Sequence, residues 1–134
     1  MPVNRSIIVL ALLAMGVLSA CTEPSEQLFR QAAPQRWQAL LQSDFKRAYE
    51  YYGRDYQKIM PLENFEKSIK GIGLWKNAEV VDAHCQGDRC LVDINITVAM
   101  KMSGVPDPVE SSGVVQEVWM KDAGWLSEWR YVKK

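Results

Sequence analysis

The chain has 134 residues, 48% hydrophobic and 24% charged, with 16 basic and 16 acidic side chains and a formal net charge of zero. That length suits one domain around one core. The balanced charge leaves no electrostatic case for nucleic acid, and no chain-wide attraction to an anionic surface.

The first six residues carry one positive charge, Arg5, and an apolar run follows from Ile7 to Leu18. The run is shorter than the roughly 20 residues of a membrane-spanning helix. A basic start, a short apolar centre and small residues at its end read as a secretory signal. The run closes on Leu18-Ser19-Ala20-Cys21, which resembles the lipobox of bacterial lipoproteins. The resemblance implies cleavage before Cys21, lipidation of its thiol (several acyl chains hold far more firmly than one), and a home in the bacterial cell envelope. Thr22 follows the cysteine. The resemblance associates Asp there with retention at the inner membrane, so Thr22 points to the outer membrane, facing the periplasm. The expected organisation is a signal peptide over 1–20, a lipidated cysteine with a short tether over 21–26, and a single domain over 27–134. Removing 1–20 takes Arg5 with it and leaves the acidic side chains one ahead.

Beyond the tether "TEPSE", Ala33, Trp37, Leu40 and Leu41 recur at helical spacing, with Phe29 one turn earlier. Pro34 either opens this helix or kinks it. Ser43 or Asp44 can cap a second helix, in which Phe45, Ala48, Tyr49 and Tyr52 share a face and Gly53 is a stop. Pro61 opens a third, striped by Leu62, Phe65 and Ile69 and closed by Gly71.

After Trp75 the period becomes two. "NAEVVDAHC" reads as a strand. "CLVDINITVAMKM" alternates without a break, with Val92, Ile94, Ile96, Val98, Met100 and Met102 on one face. "SGVPDPVESS" reads as a loop or as the bulged start of the next strand. "GVVQEVWMK" is a third strand and "WLSEWRYV" a fourth. Helices followed by strands predict an α+β domain: three N-terminal helices on one face of a four-stranded antiparallel sheet. That order, the short second helix and the closing "DAGWLSEWRYV" resemble the nuclear-transport-factor-2-like group, which implies a curved sheet and a cone-like shape.

Cys85 and Cys90 flank the turn residues Gly87-Asp88. Facing each other they set a register in which Val81 opposes Ile94 and Ala83 opposes Val92, so the apolar sets fall together. In an oxidising envelope the pair is expected to form a disulfide. A metal site with His84 is disfavoured, because neighbours on a strand point to opposite faces and a closed zinc site wants four ligands.

The same register brings Asp82 opposite Asp93, with His84 nearby, a weak acid/base constellation on the face away from the core. Enzymes that share the cone-like fold place an acid or base inside the cone. The inward set of the best strand holds none, so no catalytic residue is carried over. The third strand is apolar on both faces, with Val114, Val118 and Met120 on one and Val115 and Trp119 on the other. Strands covered on both sides look like this. A surface of Val115, Trp119, Trp125, Trp129 and Tyr131 is the candidate site for a protein partner or a second copy.

The expected function is a membrane-tethered envelope lipoprotein acting as a non-catalytic protein-interaction module, without cofactor, metal or nucleic acid. The alternatives are a small-molecule or lipid binder in the cone and, third, an enzyme like the ketosteroid isomerases or dehydratases.

Overall fold

The computed structural model describes residues 23–123 and 128–134. Cys21 and Trp125, both singled out above, lie outside the described residues. Among the described residues the architecture is α+β, with four helices and a four-stranded antiparallel sheet in the order β1-β2-β3-β4. No helix among the described residues is long and apolar enough to cross a membrane.

Helix α1 (24–41) winds continuously through an α-turn, Pro24–Gln27, a π-turn, Leu28–Ala32, and an α-helix, Ala33–Leu41. Helical backbone thus begins at Pro24, inside the stretch expected to be tether. Pro34 explains the π-turn. It has no N–H to bond the carbonyl four residues back, and its ring crowds that carbonyl. The turn before it is wound wider, with the Ala33 N–H reaching back to Leu28 O. The wider turn also shifts the phase of the buried stripe. Leu28 is buried and Phe29 exposed, the reverse of what a regular 3.6-residue period predicts. Leu28, Ala33, Trp37 and Leu40 form the core-facing row.

Helix α2 (Phe45–Glu50) starts at Asp44, whose carboxylate accepts from Arg47 N at 3.2 Å. That decides between the two candidate caps. Ala48 and Tyr52 are buried as the pattern predicts. Helix α3 (Arg54–Ile59) was not expected. It lacks an apolar stripe, and Ile59 is 81% exposed. Helix α4 (Leu62–Ser68) buries Phe65 and ends before Ile69 turns extended. Gly71 lies beyond the helix with φ 90°, and a Cβ there would meet the Trp75 ring at 3.0 Å. Glycine is the residue that fits both conditions.

The strands β1 (Trp75–Gln86), β2 (Arg89–Met100), β3 (Val109–Lys121) and β4 (Trp129–Val132) form a meander. Gly87, with φ 57°, takes the first central place of the β1–β2 turn, where a II′ hairpin turn wants glycine. Cys85 pairs with Cys90 and the two form a disulfide. Ala83 faces Val92 and Asp82 faces Asp93, as expected, but Val80, not Val81, faces Ile94. A bulge at Val81 intervenes and leaves that residue 48% exposed. Strict alternation from Ala83 would have carried Glu79 to the core face. The bulge restores Val80 and Ala78 to it.

Cys90, Val92 and Ile94 are buried beneath the helices, whereas Met100 and Met102 are exposed. The helices cover only the proximal part of the sheet. β3 begins at Val109, so the end of "SGVPDPVESS" is strand and only its start is loop.

Candidate functional site

The acid that the sequence reading did not find inside the domain is there, on β3. Cys90 faces Trp119 and Val92 faces Glu117, so the row of Val115, Glu117 and Trp119 is the inward one. Glu117 is 5% exposed and Arg36, on α1 beside Trp37, is 4% exposed. Arg36 Nη1 donates to Glu117 Oε1 at 2.7 Å, and Trp37 Nε1 donates to the same oxygen at 2.8 Å. Trp119 Nε1 donates to Oε2 at 3.0 Å. Arg36 Nη2 donates to Tyr52 Oη at 2.9 Å, and the guanidinium lies over the Tyr131 ring at 3.8 Å. Arg36 Nε finds no partner among the described residues.

The electrostatics follow from this packing. Burial works against the charge on Arg36, but Glu117, Tyr52 and Tyr131 more than offset it, and the guanidinium pKa stands above its ordinary value. Burial raises the Tyr131 phenol, Arg36 opposes that shift, and Glu117 and the neighbouring tyrosines add to it. Three donors hold the two carboxylate oxygens, and the carboxylate lies under nearly complete cover. A group so engaged is not presented to a substrate.

The outer-face candidates are placed differently. Asp82 opposes Asp93, whose Oδ1 accepts from Gln116 Nε2 at 3.0 Å, and His84 opposes Leu91. Asp82 and His84 are exposed and border separate shallow hollows beside the start of α1. They do not converge on one cavity. No group of metal-ligating side chains occurs among the described residues.

The aromatic interaction surface is corrected. Trp119 is fully buried, Trp129 is 5% exposed, and half-buried Tyr131 is the platform under Arg36. They face the helices because β3 turns its Trp119 side inward. Of the five residues only Val115, 42% exposed, stands on a described surface.

Two exposed features remain. The first is the outer edge of β3. β4 pairs only with 118–121, and among the described residues no strand pairs with 109–117 on that side. Residues 109–116 are all exposed. The β2–β3 ladder runs from Arg89–Met120 to Met100–Val109 without a register shift. The edge therefore has no bulge, and residues 109–117 include no lysine or proline, the usual devices that keep an edge from pairing. Its inward side carries Val109 and Val115, next to Met100 on β2.

The second is a cleft of about 800 Å³ between α3 and the β3–β4 hairpin, with Tyr56, Ile59, Met120 and Val132 among its lining and a rim rich in lysine and arginine. Segment 51–53 runs beside β4, with Tyr131 N donating to Tyr51 O and Gly53 N to Tyr131 O. That fixes α3 against the hairpin. Asp122 ties the same corner, accepting from Arg54 Nε and Arg130 Nε, each at 3.3 Å.

No protein-family model matches this sequence, and no curated protein matches it. Among solved structures, the fold is similar to that of a SEC-C motif containing protein from Rhodopseudomonas palustris, determined in solution. The TM-score is 0.51 at 16% sequence identity, over 73% of this chain and 70% of that one. Identity so low speaks to the fold alone.

Proposed function

We propose that the protein is a lipid-anchored envelope module that works by non-catalytic association, with the free edge of β3 as its docking element. The lipobox-like Leu18-Ser19-Ala20-Cys21 supports the anchor, and Thr22 after it supports a place at the outer membrane facing the periplasm. The cone-like form of the nuclear-transport-factor-2-like group remains our reading of how the helices sit against the sheet. The observation that carries the docking reading is the unpaired, exposed edge 109–116, which has no bulge, lysine or proline.

The occupant we assign to that edge is a second copy of the chain. An antiparallel pairing with its two-fold axis at Ser112 sets Val109 opposite the copy's Val115, and Val115 opposite the copy's Val109. Ser111 then faces Gly113, and Glu110 faces Val114. Within 109–115 apolar groups meet across the seam on the inward face, small residues fill its centre, and no like charges oppose each other. The enzyme reading loses support from Glu117, the one inward carboxylate on β3, which three hydrogen bonds already occupy.

The full chain, extracted from membranes in mild detergent, tests this by light scattering after sizing. The wild type is expected as a dimer and the Val109→Lys/Val115→Lys variant as a folded monomer. A monomeric wild type would overturn the self-association, and a complex of another mass would replace the second copy with a different protein.

A further inference from the structure

We propose that the cleft between α3 and the β3–β4 hairpin holds the phosphate-bearing headgroup of an anionic lipid from the membrane that carries the anchor. The proposal rests on the membrane-tethered reading above and adds a second, non-covalent contact with the bilayer.

The cleft carries an excess of positive charge. Arg54, Lys58, Lys121, Arg130 and Lys133 line the cleft against two carboxylates, Asp55 and Asp122. In a chain of zero net charge that excess is local. The carboxylates are already engaged, Asp122 by the two arginines and Asp55 by Lys58 at 2.9 Å. Two ammonium groups are left with no carboxylate within ion-pair distance among the described residues. Lys121 Nζ lies 5.8 Å from the centre of the Trp129 ring, and Lys133 Nζ lies 5.6 Å from that of Tyr56. Lys121 rests against the Trp129 ring, and Lys133 donates to Tyr56 Oη at 3.5 Å; the two flank one opening, a geometry suited to an anion with several oxygens.

The cleft also has an apolar wall. Ile59 is 81% exposed and Met120 44%, and both border the same cleft. A free inorganic anion has no use for them. The glycerol and upper acyl portion of a lipid does, and clusters of lysine and arginine near an anchored chain meet anionic headgroups in this way.

The cleft also lies close to the anchored end of the chain. Helix α1 begins at Pro24, three peptide steps from Cys21, a span of at most about 11 Å. Its start lies against the β1–β2 turn, sharing a hollow with Ala83, His84, Cys85 and Gly87. Lys121 borders the same turn, its N–H donating to Asp88 O at 2.9 Å. Anchor and cleft thus belong to one end of the sheet, the end the short tether holds at the bilayer.

The test uses the full lipidated chain in vesicles of phosphatidylcholine alone, phosphatidylcholine with phosphatidylglycerol, and phosphatidylcholine with inorganic phosphate in the buffer. Reactivity of individual lysines towards an amine-acylating reagent is read by mass spectrometry. Labelling of Lys121 and Lys133 is expected to fall severalfold only with phosphatidylglycerol, while Lys46 and Lys70 on the helical side stay unchanged. Equal labelling in all three arms overturns the proposal, and protection by inorganic phosphate assigns the cleft to a free anion instead. Protein that fails to float with any vesicle overturns the membrane reading itself, a result distinct from flotation without protection. Lys58, which lines the same cleft, should also be protected by phosphatidylglycerol in the wild type, and the Lys121→Gln/Lys133→Gln variant should still float but lose that protection.

Discussion

Arg36 and Glu117 stand 81 positions apart in the chain, yet Nη1 donates to Oε1 across 2.7 Å in the core. This contact joins α1 to β3, and Trp37 and Trp119 close around the same carboxylate. A buried pair of this kind is weak evidence of net stabilisation, but removing one member leaves an uncompensated buried charge. Glu117→Gln keeps the shape and an acceptor for one tryptophan while removing the counter-charge. It should lower stability by about 3–5 kcal/mol, read from the urea midpoint. Arg36→Met/Glu117→Gln should recover part of that loss. A loss below about 1 kcal/mol, the scale of an exposed pair, would contradict the burial described.

Asp122 gives the fold an acid limit. Burial pushes its carboxyl up, but the Glu128 backbone N–H, Arg130 and Arg54 together bring it below the ordinary carboxylate value. A depressed folded-state pKa contributes stability that is present above the unfolded value, about 3.9, and is lost as pH falls through the folded one. Wild-type stability should therefore drop below about pH 4. Asp122→Asn should be less stable at neutral pH and should show a shallower acid limb. Urea midpoints against pH for both proteins check the sign.

The Cys85–Cys90 disulfide closes a short loop, and in the chain-entropy model such a loop stabilises by about 2 kcal/mol. Alanine suits both positions in the test, because Cys90 is fully buried and a hydroxyl there would have no partner. Cys85→Ala/Cys90→Ala should unfold earlier by that amount, and reductant should destabilise the wild type but not the variant.

Asp82 and Asp93 face each other on an exposed side of the sheet, where directly opposed like charges repel. Asp82→Asn/Asp93→Asn should leave the thermal midpoint unchanged or raise it, read by circular dichroism. A marked fall would mean that the pair has a cation partner the account lacks.

Much of this was legible in the sequence because it followed local rules. The alternation of β2 fixed its inward row, Cys85 and Cys90 fixed the register beside their turn, and Asp44 announced a helix start. The departures have identifiable causes. Pro34 forced a wider turn and exchanged Phe29 for Leu28 in the core. A bulge exposed Val81 so that Glu79 could stay outside. α3 carries no apolar stripe because its role is at the edge of β4. Glu117 was the informative miss. Val115, Glu117 and Trp119 share a face by alternation, so Trp119 could not turn inward without Glu117, and Arg36 sits next to Trp37 in the buried helical row. An arginine beside a core stripe and a glutamate between two apolar strand positions were the available signal.

The anchor has its own check. Cys21→Ala should abolish incorporation of labelled palmitate and release the protein from the membrane fraction. Unchanged labelling would place the lipid on another residue, and no labelling of the wild type would deny it.

The central functional claim concerns the β3 edge, and one cysteine tests it most directly. Directly opposed residues in an antiparallel pair bring their Cα atoms to about 4.5–5.5 Å, within disulfide range. Ser112 lies on the proposed two-fold axis, so Ser112→Cys in the full chain should form a disulfide-linked homodimer in the envelope. Asn95→Cys, on the outer face of β2, should not. A homodimer from Ser112→Cys alone is the predicted result. The absence of that dimer, or equal yields from both positions, would contradict the account.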